Sequence, residues 1–278
     1  MANPFCGTAG TIRLHEPAAL RTIDCMIELV GLTKYFDNLA AVQNLHLRVD
    51  AGEVFACLGP NGAGKTTTIK MMMGLLQPSA GSIRLGGYDL ATEPEAAKRL
   101  CGFVPDRPFL YDKLTGAEFL DFVAGLYAVE RDQIPRRRQQ LLEQFDLAGW
   151  MGELIESYSH GMKQRLALAA ALIHDPEILV LDEPMVGLDP RGALLLKRLV
   201  RDRAARGATV FLSTHSLDVA EEVADRIAII DRGELIAVGT LDELHRLAGT
   251  PAGASLEAIF LRLTTFDDAG PAPLRAQA

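Results

Sequence analysis

Apolar and polar residues alternate in the first patterned segment of the chain. In "NLHLRV", Leu45, Leu47 and Val49 fall on one side and Asn44, His46 and Arg48 on the other, the period-two pattern of a strand with one wet face. Patterning of this kind from Ile27 to Leu58 predicts antiparallel strands, ending in the buried run "EVFACL" (Glu53 to Leu58) after the turn "DAG". Residues 66–76 read as a helix, and "PSAGSIRLGGYD" as a turn-rich hairpin. The period then lengthens. Thr115 and Glu118 form a capping box, and Phe119, Phe122, Val123 and Leu126 recur at helical spacing, predicting a helix whose aromatics pack in a core. Residues 112–175 are expected to be mainly helical.

Strand and helix patterns alternate beyond that point. "EILVLD" is followed by a helix with Asp189 and Pro190 at its cap and Gly207 near its end. Next come the strand "ATVFLS", the helix "LDVAEEVADR", and the strands "IAII" and "ELIAV" around the turn "DRG". This order predicts an α/β fold with a mainly parallel sheet, an N-terminal antiparallel β subdomain and an inserted helical subdomain at about 103–165. Residues 1–25 show no sustained periodicity and are expected to be either a flexible extension or sequence upstream of a start at Met26. The main domain is expected over 26–245, with a C-terminal helix and a disordered Ala/Pro-rich tail over 246–278.

Composition narrows the choice of function. The chain has 278 residues, 49% hydrophobic and 23% charged, and no apolar run near the length a bilayer needs. With no secretory leader evident, a soluble, intracellular protein is expected. A net charge of −8 argues against a nucleic-acid partner, and the run Arg136 to Arg138 reads as a solvated helix face. Cys6, Cys25, Cys57 and Cys101 are scattered, so neither a disulfide framework nor a zinc site is expected.

The chemistry is carried by "LGPNGAGKTTTIK". It fits G-x-x-x-x-G-K-[ST] between a buried strand and a helix, which defines a P-loop NTPase core. Gly59, Gly62 and Gly64 let successive backbone N–H groups turn towards the β- and γ-phosphates. Pro60, Asn61, Ala63 and Thr67 complete the loop, Lys65 supplies a mobile charge, and Thr66 offers a hydroxyl to Mg²⁺. "ILVLDEP" sets Asp182 and Glu183 at a strand end, one able to hold the metal and the other able to polarise an attacking water. "STH" brings His215 to the same rim, within reach of a γ-phosphate. In "YSHGMKQRLALAAAL", Ser159 caps a helix whose N-terminus, past His160 and Gly161, forms a second anion site.

The ordered set "GPNGAGKTT", "YSHGMKQR", "ILVLDEP", "GLDP" and "STH" resembles the ABC transporter ATPase family over about 27–239. The resemblance implies ATP and Mg²⁺ as cofactors, Lys65 and Thr66 on phosphate and metal, Asp182 supporting the metal, Glu183 as catalytic base and His215 sensing the γ-phosphate. It also implies a dimer in which Ser159 and Gly161 meet the opposite subunit's nucleotide, with Asp189 in the loop crossing the interface. The dimer is either homomeric or paired with a second ABC ATPase. Adenine would stack on Phe36, or alternatively Tyr35. "SLEAIFLRLT" resembles the terminal helix of exporter-type members, which work with a separate integral-membrane permease. Such a subunit sits in the cytoplasm, peripheral on the inner face of the cell membrane. A soluble ABC ATPase outside transport is the alternative.

The chain departs from the family pattern in two motifs. His160 stands where the signature has glycine, and Met162 where it has glutamine. Asp106 occupies the place of the switch-loop glutamine, where it is expected to reach the metal or its water and to make isolated hydrolysis slow and partner-dependent.

Overall fold

The computed structural model describes residues 25–251 and 253–264. The expected extension before Cys25 and the expected disordered tail after Thr264 lie outside the described residues.

In chain order the strands and helices are β1 (Cys25–Phe36), β2 (Leu39–Asp50), β3 (Val54–Leu58), α1 (Lys65–Met72), β4 (Ala80–Leu85), β5 (Tyr88–Asp89), α2 (Pro94–Arg99) and β6 (Cys101–Val104). Then follow α3 (Gly116–Leu126), α4 (Ile134–Gln144), α5 (His160–Leu172), β7 (Ile178–Asp182), α6 (Pro190–Ala205) and β8 (Thr209–Thr214). The chain continues through α7 (Leu217–Val223), β9 (Arg226–Asp231), β10 (Glu234–Gly239), α8 (Leu241–Ala248) and α9 (Leu256–Thr264).

Among the described residues two sheets form. One is antiparallel, in the order β2-β1-β4-β5, and the other runs β10-β9-β3-β8-β7-β6. In the second, every pairing from β9 to β6 is parallel, and only β10 runs against its neighbour. The fold is thus a P-loop NTPase-like α/β core with a mainly parallel sheet, an antiparallel N-terminal subdomain and helices inserted between β6 and β7.

Strands covered on both faces read as unbroken apolar runs, and their side chains divide between two cores. Leu179 and Leu181 of β7 join Val210 and Leu212 of β8 under the inserted helices. Ile178, Val180 and Phe211 face the other way, with Phe55, Ile69 and the antiparallel sheet. The Phe55 and Phe211 rings stack there at 5.7 Å. A third cluster joins Ala56, Leu58, Ile227 and Ile229 to α7, α8 and α9.

Three local expectations are corrected. The helix after the glycine loop ends at Met72, not Leu76, because Gly74 (φ +61°) turns the chain and Leu75 N–H reaches back to Lys70 O. Helix α7 ends at Val223, not Arg226, because Asp225 binds β3 from both sides: its N–H donates to Val54 O and its Oδ2 accepts from Val54 N–H. Of the aromatics expected to pack on α3, Phe119 is buried, whereas Phe122 is 43% and Leu126 68% exposed. Four residues apart, they share one exposed face of the helix, and Tyr111 meets Phe122 edge-on at 5.5 Å.

The difference between these aromatics is measurable by urea denaturation. Phe211→Ala should cost about 3–5 kcal/mol, the range for deleting a fully enclosed ring, and Phe122→Ala less than about 1 kcal/mol.

Candidate functional site

Four neighbouring parallel strands deliver the site from their carboxyl ends. β3 runs into the glycine loop, β8 into His215, β7 into Asp182 and Glu183, and β6 into the segment carrying Asp106. Registry aligns them: Leu58 sits opposite Thr214, and Asp182 opposite Ser213. Ligands of open α/β sheets bind at this edge.

The glycine loop crosses under β2. Gly64 caps α1 at φ +105°, and a Cβ there would lie 2.5 Å from the Ala41 carbonyl oxygen, so only glycine fits. Lys65, 5% exposed, donates to the carbonyls of Gly59 (2.7 Å) and Pro60 (3.2 Å) and lies 3.4 Å from Glu183 Oε1. That oxygen is buried and makes no hydrogen bond. Glu183 Oε2 faces His215 Nδ1 at 2.9 Å and accepts from the His215 backbone N–H at 3.3 Å. The Glu183 backbone is left-handed at φ +48°, a conformation costing a non-glycine residue about 1–3 kcal/mol. It turns the Glu183 carboxylate away from that of Asp182.

Asp182 lies beneath them, buried. Its Oδ1 accepts from Ser213 Oγ at 2.6 Å and from Thr66 Oγ1 at 3.2 Å, while Ser213 Oγ accepts from the Glu183 N–H at 3.1 Å. Burial raises the Asp182 carboxyl above its ordinary value, the two hydroxyls oppose that shift, and the charges of Asp106 and Glu183 add to it. Beside them the Cys57 thiol is pushed up to about 12 by burial and is inert.

Asn61, Gly62, Ala63, Gly64, Lys65, Thr66 and Thr67 line a cleft of about 330 Å³ together with Asp106, Glu183, His215, Ala41 and Val186. Other expected site residues fall outside that lining. Gly59 and Pro60 hold Lys65 from behind, and Phe36 is exposed at the β1–β2 hairpin tip with the Lys34 ammonium 5.4 Å from its ring centre. Tyr35 is exposed beside it. Ser159 caps α5, accepting from Met162 N–H, with Gly161 in the first turn, and Asp189 caps α6, accepting from Gly192 N–H at 2.8 Å.

Sequence reasoning missed Ser213, Ala41 and Val186. Ser213 stands in "STH", but its role depends on registry between β7 and β8, which has no local signal. The donor set fits a hard divalent cation. Asp182 and Thr66 offer two adjacent oxygens with Asp106 nearby, and among the described residues no His/Cys/Asp/Glu cluster could enclose a metal alone. Mg²⁺ suits such a partial set, because it takes its remaining ligands from phosphate and water.

Comparison with known proteins bears on the family and the fold. A family model described as ABC transporter matches residues 42–186. The daunorubicin resistance ATP-binding protein DrrA3 of Streptomyces coeruleorubidus is 41% identical over 226 residues, covering 81% of this chain and 72% of that protein. The linearmycin resistance ATP-binding protein LnrL of Bacillus subtilis is 38% identical over 225 residues, 81% of this chain and 72% of its own. A solved ATP-binding subunit of an ABC transporter superposes with a TM-score of 0.82 at 36% identity, covering 86% of this chain and 99% of that one. An ATP-binding cassette solved as a dimer in a post-hydrolysis state with ADP and Pi gives 0.70 at 26% identity, covering 78% and 99%.

The raised Asp182 carboxyl has a consequence for stability. An acid whose folded value exceeds its unfolded one destabilises the fold once pH rises through that interval, because the native state then holds a buried charge. Asp182→Asn should therefore raise the melting temperature of the ligand-free chain at pH 7, raise it less at pH 4, and abolish further stabilisation by Mg²⁺ with nucleotide. Thermal unfolding at the two pH values checks this.

Proposed function

The chain belongs to the ABC transporter family as an ATP-binding and hydrolysing subunit, and from that premise we propose that it powers export through a separate integral-membrane permease. The observation that carries the catalytic reading is the Glu183 carboxylate, fixed between Lys65 and His215 directly above Asp182.

ATP would lie with its β- and γ-phosphates against the backbone N–H groups of Gly62 to Thr67 and the Lys65 ammonium, at the positive end of α1. Mg²⁺ would be held by Thr66 and Asp182, with Asp106 reaching one of its waters. When bound, it neutralises charge on the β- and γ-oxygens. Glu183 accepts the proton of the attacking water. His215 contacts the γ-phosphate and, through Nδ1, keeps the Glu183 carboxylate in place. Phe36, or Tyr35, stacks on adenine.

Ser159, Gly161 and Asp189 line no part of this chain's own cleft, which supports a dimer in which the α5 N-terminus closes on the opposite subunit's nucleotide. That an ATP-binding cassette similar to this chain was solved as a dimer with ADP and Pi supports dimerisation. The exposed aromatics Phe109, Tyr111 and Phe122, on the helical insertion that follows Asp106, support a permease contact coupled to the cleft. Relatives named for daunorubicin and linearmycin resistance support export. Among the described residues no helix is long and apolar enough to cross a membrane, so the bilayer path would belong to the permease, with this chain on the inner face.

Light scattering on Glu183→Gln, with and without MgATP, tests the scheme. The variant should bind ATP, lose about 10²–10⁴-fold of the hydrolysis rate and become dimeric only with nucleotide. A monomer with ATP bound would mean that closure needs the permease or a different ATPase partner and would withdraw the homodimer, and failure to bind ATP would overturn the reading. A second test uses Asp106→Gln. Removing a negative charge beside the γ-phosphate should raise the slow basal hydrolysis of the isolated chain by roughly 3- to 10-fold. Fast wild-type hydrolysis unchanged by Asp106→Gln would remove the regulatory role given to Asp106.

A further inference from the structure

His160 opens α5 immediately after its cap, at the position where the family signature carries glycine. It is exposed, yet its ring is not free in solvent. The imidazole occupies the side-chain space of Gly187: a Cβ on Gly187 would lie 2.2 Å from His160 Cδ2 and 2.3 Å from Nε2. Gly187 is also left-handed at φ +80°, and the next residue of α5 approaches the same point, a Cβ on Gly161 lying 3.4 Å from Gly187 O. Two motifs far apart in sequence therefore interlock within one subunit, through a side chain that the usual glycine would not supply.

The loop receiving the imidazole is short and internally bonded. It starts at Glu183, returns hydrogen bonds from Val186 N–H to Glu183 O and from Leu188 N–H to Met185 O, and ends at Asp189, the cap of α6. Val186, next to Gly187, lines the nucleotide cleft. A shift imposed at Gly187 has little slack to absorb it before Glu183, whose own backbone is strained and whose N–H is tied to Ser213. The ring meets the glycine at the surface, so the short, internally hydrogen-bonded loop is what would carry a shift at Gly187 to Glu183.

We propose that His160 is a positioning residue that locks the first turn of α5 to the Gly187 loop, so that engagement of a nucleotide at the α5 N-terminus sets the orientation of the Glu183 carboxylate. The proposal rests on the ATPase reading above. It makes His160 act on the chemical step through Glu183 and not through ATP held in its own subunit, since His160 does not line that cleft.

The test is steady-state hydrolysis by the full chain, with binding of a fluorescent ATP analogue measured in parallel. His160→Gly should lower kcat roughly tenfold while KM and analogue affinity stay within about twofold of wild type. Gly187→Ala should lower kcat as well, because the new methyl group meets the imidazole and also strains the left-handed backbone at φ +80°. Combined with His160→Gly, which removes that collision, it should lose less than the product of the two single losses. An unchanged kcat in His160→Gly, a loss confined to KM, or strictly multiplicative losses would each overturn the proposal. If Gly187→Ala does not fold, the kcat-against-KM split of His160→Gly decides. Failure of the ATPase reading looks different: the wild type itself would neither bind the analogue nor hydrolyse ATP, and Lys65→Ala would change nothing.

Discussion

The site depends on one hydroxyl. Ser213 Oγ donates to the buried Asp182 carboxylate and accepts the N–H of Glu183, the next residue along the chain. Asp182 is tolerated in the interior because Ser213 and Thr66 both donate to it. Glu183 leaves the strand in a left-handed turn with its N–H still bound to β8, shared between the Ser213 carbonyl and the Ser213 hydroxyl. Parallel registry between β7 and β8, with Asp182 opposite Ser213, puts the hydroxyl where both residues need it. Successive acidic residues thus acquire different environments, one beneath the phosphate loop and the other at the cleft mouth between Lys65 and His215.

Charge explains why the cleft suits a nucleotide together with a divalent cation. Asp106 and Glu183 line it and Asp182 lies buried beneath, while among the described residues Lys65 is the buried ammonium set against them. A polyphosphate alone would meet the carboxylates of Asp106 and Glu183, with that of Asp182 just beneath. A hard cation held by the partial oxygen set of Asp182 and Thr66 would offset that repulsion and keep room for phosphate ligands. Burial raises the Asp182 carboxyl, so the direction of that shift is towards lower stability of the ligand-free fold when the group is charged.

The helical insertion shows where periodicity stops being informative. The capping box of Thr115 and Glu118 forms as expected, because both residues lie within one turn and the bonds are local. The spacing of Phe119, Phe122, Val123 and Leu126 marks one broad apolar stripe, yet only part of it reaches the core. Phe119 packs inward while Phe122 joins the exposed ring cluster of Phe109 and Tyr111. An apolar stripe says that a surface prefers cover, and not whether that cover is this chain or another.

The chain's own order of residues determined whatever is settled within a few positions. The glycine loop with Lys65 and Thr66, the caps at Ser159 and Asp189, the alternation of Leu45, Leu47 and Val49 and the order of strands and helices all follow from short-range sterics, hydrogen bonding and periodicity. Tertiary structure decided what depends on partners distant in sequence. The early end of α7 follows from the bonds Asp225 makes with Val54, and the role of Ser213 from strand registry. The seat of the His160 ring on Gly187 follows from two loops meeting in space. Residue spacing encodes the first kind of information directly, whereas the second arises only when packing the two cores chooses one registry among many that local patterning allows.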